Sequence, residues 1–239
     1  MTTAKVEYSA AGKVFGGEVV SNPAVEGPRP GILVFHGGAG LTDHERERAH
    51  MLAELGFIAF APDLFGERFE DRARGMAVIT QLVSETTVLR ERVNAALERL
   101  RRESGVDPGR LAAIGFCFGG LAALELARSG ADVAAVVSFH GGLQSRTPAR
   151  RDEVACKVLV CTGSADPFVT REHRASFEDE MTHANADWQM LVHGGALHGF
   201  TETNASPRAG CGHSEVADRR SWRAMRELFV EAMGLAAPR

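Results

Sequence analysis

The chain is poor in several residue types that usually announce function. Its 239 residues hold one tyrosine, two tryptophans and four cysteines. Cys117, Cys156, Cys161 and Cys211 show no CxxC or zinc-ribbon spacing, which excludes a thioredoxin-type redox motif and a structural zinc site. In a reducing cytosol they are expected to be free thiols. No two histidines stand at i,i+3 or i,i+4, the spacing that puts two ligands on one helix face, so no metal is expected. No apolar run approaches the ~18 residues of a membrane span. The opening MTTAKVEYSAAGK has no apolar h-region, so the expected location is the cytoplasm. A net charge of -4 without a basic block excludes nucleic acid and membrane surface as main partners.

What is present is the profile of a globular chain, 44% hydrophobic and 24% charged, able to bury a sizeable core. No repeat or composition break marks a second unit, so residues 1–239 are expected to form one domain. Lys5–Tyr8 and Lys13–Val20 read as an edge hairpin turning at Ala11-Gly12. Gly31–Phe35, Phe57–Ala61, Leu111–Ile114, Val133–Phe139 and Lys157–Thr162 are continuous apolar runs, the signature of strands buried on both faces. Asp187–His193 reads as the last strand. Thr42 or Asp43 can cap the helix that Gly56 ends, with Glu45 completing a T-x-x-E capping box. Phe65–Gly75 reads as charged loop, and Met76 to Arg102 as one helix. Phe118–Arg128 and Thr170–His183 follow as helices, then a loop at Thr201–Gly212. A C-terminal helix carries Trp222, Met225, Leu228, Phe229 and Ala232 on one face. This alternation predicts an α/β fold: a mostly parallel sheet of about eight strands with helices on both faces.

The stretch Leu111–Leu126 (LAAIGFCFGGLAALEL) carries the chemistry. An apolar strand meets Gly115-Phe116-Cys117-Phe118-Gly119-Gly120 and switches to helix, the context of a G-x-S-x-G nucleophile elbow with cysteine in the serine's place. Glycines on either side of the nucleophile remove Cβ atoms that would clash in so sharp a turn. The turn aims the thiol at a helix N-terminus, whose N–H groups and dipole favour a thiolate.

In such sheets the ligand site lies beyond the carboxyl ends of the strands. The polar residues that fall there are His36–Gly40, Cys117, His140–Gly142, Asp166 and His198. A thiol nucleophile needs a base, and the base needs a group to orient it. The order nucleophile, acid, histidine assigns Cys117 as nucleophile, His198 as general base and then acid, and Asp166 as orienter of His198. The oxyanion of an acyl intermediate needs backbone donors. Phe118 N–H at the helix start is one, and Gly37 or Gly38 in the loop after strand 31–35 is the other. His36 supports that loop. Phe65, Phe116, Phe118 and Phe168 are candidates for an apolar pocket. Cys161 reads as core, and Cys156 and Cys211 have no functional neighbourhood.

With these residues in hand, the chain resembles the dienelactone hydrolase family of the α/β-hydrolase fold. The resemblance rests on G-F-C-F-G-G (115–120), A-P-D-L-F (61–65), T-G-S-A-D-P-F-V (162–169), H-G-F (198–200) and S-W-R-A-M (221–225). It implies cofactor-free hydrolysis of an ester or lactone through an acyl-cysteine, with Cys117, Asp166 and His198 as the triad. The expected partner is a small-molecule ester, thioester or lactone, taken up by a monomer or homodimer. Three family features differ here. The glutamate expected after strand 31–35 is replaced by His36-Gly37-Gly38, which leaves activation mainly to His198 and the helix N-terminus. Glu202 stands where the family has a carboxylate-binding arginine. A pocket tyrosine gives way to Phe139-His140. Two other classes remain open on sequence: a noncatalytic scaffold that binds a ligand or partner, and a thiol redox or peroxide-sensing protein using Cys117. Loss of ester hydrolysis in Cys117→Ala separates the first from an enzyme. A sulfenate or disulfide at Cys117 after mild peroxide marks the second.

Overall fold

The computed structural model describes residues 1–67, 69, 71–203 and 208–235. In chain order the elements are β1 (Thr2–Ala10), β2 (Lys13–Ser21), β3 (Arg29–Phe35), α1 (Asp43–Glu54), β4 (Ile58–Pro62), α2 (Arg72–Ser84) and α3 (Thr86–Arg101). Then come β5 (Val106–Phe116), α4 (Phe118–Arg128), β6 (Ala135–Phe139), β7 (Lys157–Gly163), α5 (Arg171–His183), β8 (Asp187–His193) and α6 (Glu215–Met233). One sheet of eight strands runs in the order β1-β2-β4-β3-β5-β6-β7-β8. The β1–β2 hairpin is antiparallel and joins β4 antiparallel; every other pairing is parallel. No helix among the described residues is long and apolar enough to cross a membrane.

Because strand side chains alternate between faces, β3 divides its apolar run between two cores. Leu33 and Phe35 join the layer under α2–α5, while Ile32 and Val34 join the layer under α1 and α6. Both layers are closed by apolar helix stripes, such as Leu89, Val93, Leu97 and Leu100 on α3 and Met225, Leu228 and Phe229 on α6. Every strand from β3 to β7 therefore ends between two packed layers, and the loops at the carboxyl ends share one edge.

Three boundaries differ from the sequence reading. The loop expected at 65–75 ends earlier, because Asp71 caps α2 by accepting the Arg74 N–H at 2.8 Å. The single helix expected from Met76 to Arg102 is two, broken at Glu85 (φ -99°, ψ 60°). The break has a local cause: Ser84 Oγ bonds Gln81 O at 2.8 Å and Thr86 Oγ1 reaches Val83 O at 3.4 Å, so hydroxyls compete for the helix carbonyls. The strand expected at Leu111–Ile114 begins earlier, at Val106, and carries a bulge opposite Pro30/Gly31, where Gly109 N–H donates to Asp107 Oδ1 at 3.0 Å. In the long loop at 201–212, positions 204–207 lie outside the described residues.

The elbow depends on two glycines. A Cβ on Gly115 would penetrate Gly119 O, and one on Gly119 would penetrate Phe35 O, both backbone atoms that cannot swing aside. Helix α4 thus sits against β5 and β3 at a distance only glycine permits. Gly119→Ala is expected to cost about 3 kcal/mol, a fall in Tm of roughly 6–12 °C for a chain of this size. Thermal denaturation by circular dichroism reads it; an unchanged Tm would contradict the close approach.

Candidate active site

Cys117 occupies the turn between β5 and α4 with φ 53° and ψ -115°, outside the conformations that L-residues favour. The geometry holds because its N–H donates to Phe139 O at 3.0 Å and to His140 Nδ1 at 3.2 Å. The residue is partly exposed, at the carboxyl end of β5.

His198 comes from the loop after β8, which is pinned by His198 N–H to Gly210 O at 3.1 Å and Gly212 N–H to His198 O at 3.0 Å. Its Nε2 lies 3.1 Å from Cys117 Sγ, and its Nδ1 lies 2.8 Å from Asp166 Oδ2. Asp166 follows β7, and its second oxygen accepts the N–H groups of Phe168 at 2.8 Å and Val169 at 3.3 Å. The three residues proposed from strand-end position are therefore brought into one hydrogen-bonded line. Burial alone would strip the proton from His198. The hydrogen bonds and negative charges of Asp166 and Cys117 outweigh it and raise the imidazole to about 10. An imidazolium that donates to a sulfur is the charge arrangement of an activated thiol.

The glycine loop after β3 lies beside the thiol, with the Cβ position of Gly37 only 3.7 Å from Cys117 Cβ. Gly37 N–H is engaged by Glu45 Oε1 at 3.1 Å. Gly38 N–H and Phe118 N–H, the first amide of α4, have no hydrogen-bond partner among the described residues. Of the two glycines expected to offer a donor, Gly38 is the free one. Glu45 also accepts Thr42 N–H at 2.9 Å and Thr42 Oγ1–H at 2.6 Å, so the capping box doubles as a strut under this loop. His36 supports the same loop as expected: Nε2 accepts Leu64 N–H at 2.9 Å, and Nδ1 lies 2.8 Å from Gly37 O.

Phe65 packs against Phe69 at 4.9 Å and Phe118 at 5.2 Å, forming an apolar wall beside the loop, where the side of Gly38 meets Ile79. Phe168, half exposed, stands edge-on to His198 at 5.2 Å. Phe116 does not belong with them. It stacks on Phe139 at 5.0 Å in the core under α1 and α6, because it points to the opposite face from its neighbours on the elbow. Glu202 lies against Gly199, its carboxyl raised by burial. Cys156 and Cys161 are buried thiols pushed up to about 12 by burial. Cys211 is closer to the site than its sequence neighbourhood implies: it bridges His198 through the backbone, and Arg208 Nε lies 2.6 Å from its sulfur. Sequence reasoning also missed Glu45 as a loop strut, together with Thr201 and His44, which bond one another at 3.3 Å beneath the site. Only the T-x-x-E spacing gave a signal for any of them.

A model of the Dienelactone hydrolase family matches residues 15–233. A solved structure described as a dienelactone hydrolase-like promiscuous phosphotriesterase from metagenomic libraries is 40% identical, with TM-score 0.90, covering 97% of this chain and 98% of that one. Another, named m3DLH, is 39% identical with TM-score 0.91 over the same shares. A Bradyrhizobium protein named "Probable 2-oxo-3-(5-oxofuran-2-ylidene)propanoate lactonase" is 29% identical over 77% of this chain and 78% of its own length. The fold is that of the α/β-hydrolases.

The charge on His198 is directly measurable. In Cys117→Ala the imidazole loses one of the two groups that favour its cation, so it should release its proton at lower pH than in the wild type. Asp166→Asn should move it the same way. Titration of the His198 Cε1–H resonance by NMR checks both, and an unchanged midpoint in the two variants would contradict the assignment.

Proposed function

The chain belongs to the dienelactone hydrolase family, a family of hydrolases, and from that premise we propose that it cleaves carboxylic esters or lactones through an acyl-cysteine. The observation that carries the proposal is the line Asp166–His198–Cys117, with 2.8 Å and 3.1 Å between successive partners. Cys117 Sγ attacks the carbonyl carbon as the C=O electron pair moves to oxygen. Phe118 N–H and Gly38 N–H face the developing oxyanion. Collapse breaks the C–O bond, and the leaving alkoxide takes the Nε2 proton of His198. With a lactone the leaving oxygen stays tethered to the acyl group.

Deacylation runs through the now neutral His198. It removes a proton from water, the hydroxide adds to the acyl carbon, and the thiolate is expelled with His198 again protonated. Asp166 holds the imidazole in one tautomer throughout, with its own second oxygen fixed by two amides. No cofactor enters these steps.

Thiolate is a good leaving group, so the tetrahedral adduct of an amide tends to return to substrate. Esters, thioesters and lactones with a stabilised leaving group are the better substrates. The apolar wall of Phe65, Phe69 and Phe118 and the carboxyl of Glu202 favour an acyl group without negative charge. The all-present triad argues against a purely ligand-binding scaffold. The activity described for the metagenomic relative adds a neutral phosphotriester to the substrates worth assaying.

Cys117→Ala is expected to lower kcat/KM for p-nitrophenyl acetate by on the order of 10³-fold or more. Mass spectrometry of the wild type during turnover should find one acetyl group on Cys117. Full activity in the alanine variant would end the proposal. A panel of aryl esters, thioesters, lactones and a neutral phosphotriester then ranks the substrates.

A further inference from the structure

Beneath the triad lies a chain of buried and half-buried polar side chains that the hydrolytic steps leave unused. Cys117 N–H reaches His140 Nδ1 at 3.2 Å, His140 Nε2 lies 2.8 Å from Thr201 Oγ1, and Thr201 Oγ1 lies 3.3 Å from His44 Nε2. Donor and acceptor roles follow from the end that cannot reverse. An amide N–H only donates, so His140 Nδ1 accepts and its proton sits on Nε2. That proton goes to Thr201, whose single hydroxyl proton is left for His44 Nε2. The tautomers of two imidazoles and one hydroxyl rotor are fixed by the backbone of the nucleophile.

The electrostatics agree with this direction. His140 is fully buried, and burial, with the positive charges of His198 and Arg48 around it, pushes it well below the usual histidine range. His44 is lowered to about 4, chiefly by burial, with Arg48 adding to it and Glu45 and Asp218 opposing. Both stay neutral at neutral pH, as acceptors must. The carbonyl of Thr201 is held separately by Arg48 Nη2 at 2.9 Å, and the same nitrogen pairs with Asp218 Oδ2 at 2.7 Å. The Arg48 guanidinium lies over the Phe116 and Trp222 rings at 5.8 and 5.2 Å.

The connectivity gives the chain its purpose. His140 follows β6, also at positive φ (41°), and Thr201 stands in the same loop as His198. Two strained backbones and the base-bearing loop are joined through side chains that make no hydrogen bond to Cys117 Sγ or to the His198 ring nitrogens, which bond Cys117 and Asp166. We propose that His140 and Thr201 are positioning residues of the hydrolytic reaction, holding the Cys117 amide and the His198 loop so that Sγ and Nε2 stay in bonding distance. This rests on the function proposed above, but its test does not depend on activity alone.

Thr201→Val keeps the volume and removes the hydroxyl, whereas Thr201→Ser restores it. Misplacement of a reacting pair costs on the order of 10- to 100-fold in rate. Thr201→Val is therefore expected to lower kcat for p-nitrophenyl acetate by about that factor, with KM changed less than about threefold. Thr201→Ser should recover most of it. Iodoacetamide alkylation of Cys117, followed across pH by mass spectrometry, reads the thiol–imidazole contact whether or not the ester is a substrate. It should slow in the valine variant at neutral pH and recover with serine. His140→Asn, whose Oδ1 can accept the Cys117 N–H, should outperform His140→Leu in both assays. Wild-type kcat and alkylation profile in Thr201→Val overturn the proposal, and so does equal impairment of the valine and serine variants. An inactive wild type with the expected alkylation pattern would instead count against the hydrolase reading and leave the positioning role standing.

Discussion

The close approach of α4 to the ends of β5 and β3 is the constraint from which the site follows. Gly115 and Gly119 let backbone meet backbone where any side chain would collide. The chain then has no room to turn except through the positive φ of Cys117. That turn makes Cys117 the N-cap of α4 and leaves the Phe118 amide, the first of the helix, without a hydrogen-bond partner among the described residues. Strain of this kind persists only when the surroundings over-determine it. Here two acceptors, Phe139 O and His140 Nδ1, hold a single amide hydrogen.

Around that turn, histidines with one intrinsic pKa are driven to opposite states by their partners. His198 and His140 both lie buried, with ring centroids 5.2 Å apart. His198 has a carboxylate on one nitrogen and a thiol on the other, so its cation is favoured despite burial. His140 has an amide donor and a hydroxyl, neither of which stabilises a charge, and burial wins. The cation on His198 also makes a second cation at His140 more costly, so each assignment reinforces the other. The two protonation states are separated by what touches each ring, not by depth in the protein.

Much of this was legible in the sequence because it depends on strand ends. The apolar runs located β3 to β7, and parallel order placed whatever followed Ile114, Thr162 and His193 on one edge. Cys117, Asp166 and His198 followed from that, as did the strut role of His36. Features that depend on side chains crossing between elements were not legible. Nothing in T-x-x-E says that Glu45 also takes the Gly37 amide, so the choice between Gly37 and Gly38 as a free donor had to come from geometry. His44 and Thr201 are far apart in sequence and meet only because α1 and the loop after β8 pack on the same face. The break at Glu85 was hidden because apolar periodicity runs through it, while the cause lies in hydroxyls bonding to carbonyls.

Glu45 also bears on how the thiol is activated. The family glutamate expected after β3 is missing from the 36–40 loop, yet a buried carboxylate still arrives beneath that loop, carried there by α1. Position alone would make it a candidate base. Its hydrogen bonds argue otherwise: Oε1 accepts the Gly37 amide, and Oε2 accepts both the amide and the hydroxyl of Thr42. A carboxylate serving those three donors would leave the buried Gly37 N–H unpaired if it turned toward the sulfur, a cost of ~1–3 kcal/mol, and would release both half-buried donors of Thr42 as well. The same bonds stiffen the segment that presents Gly38 N–H. Glu45 is thus engaged in holding the glycine loop rather than free to take a proton, and the imidazole that meets the sulfur is His198, whose cation the site favours.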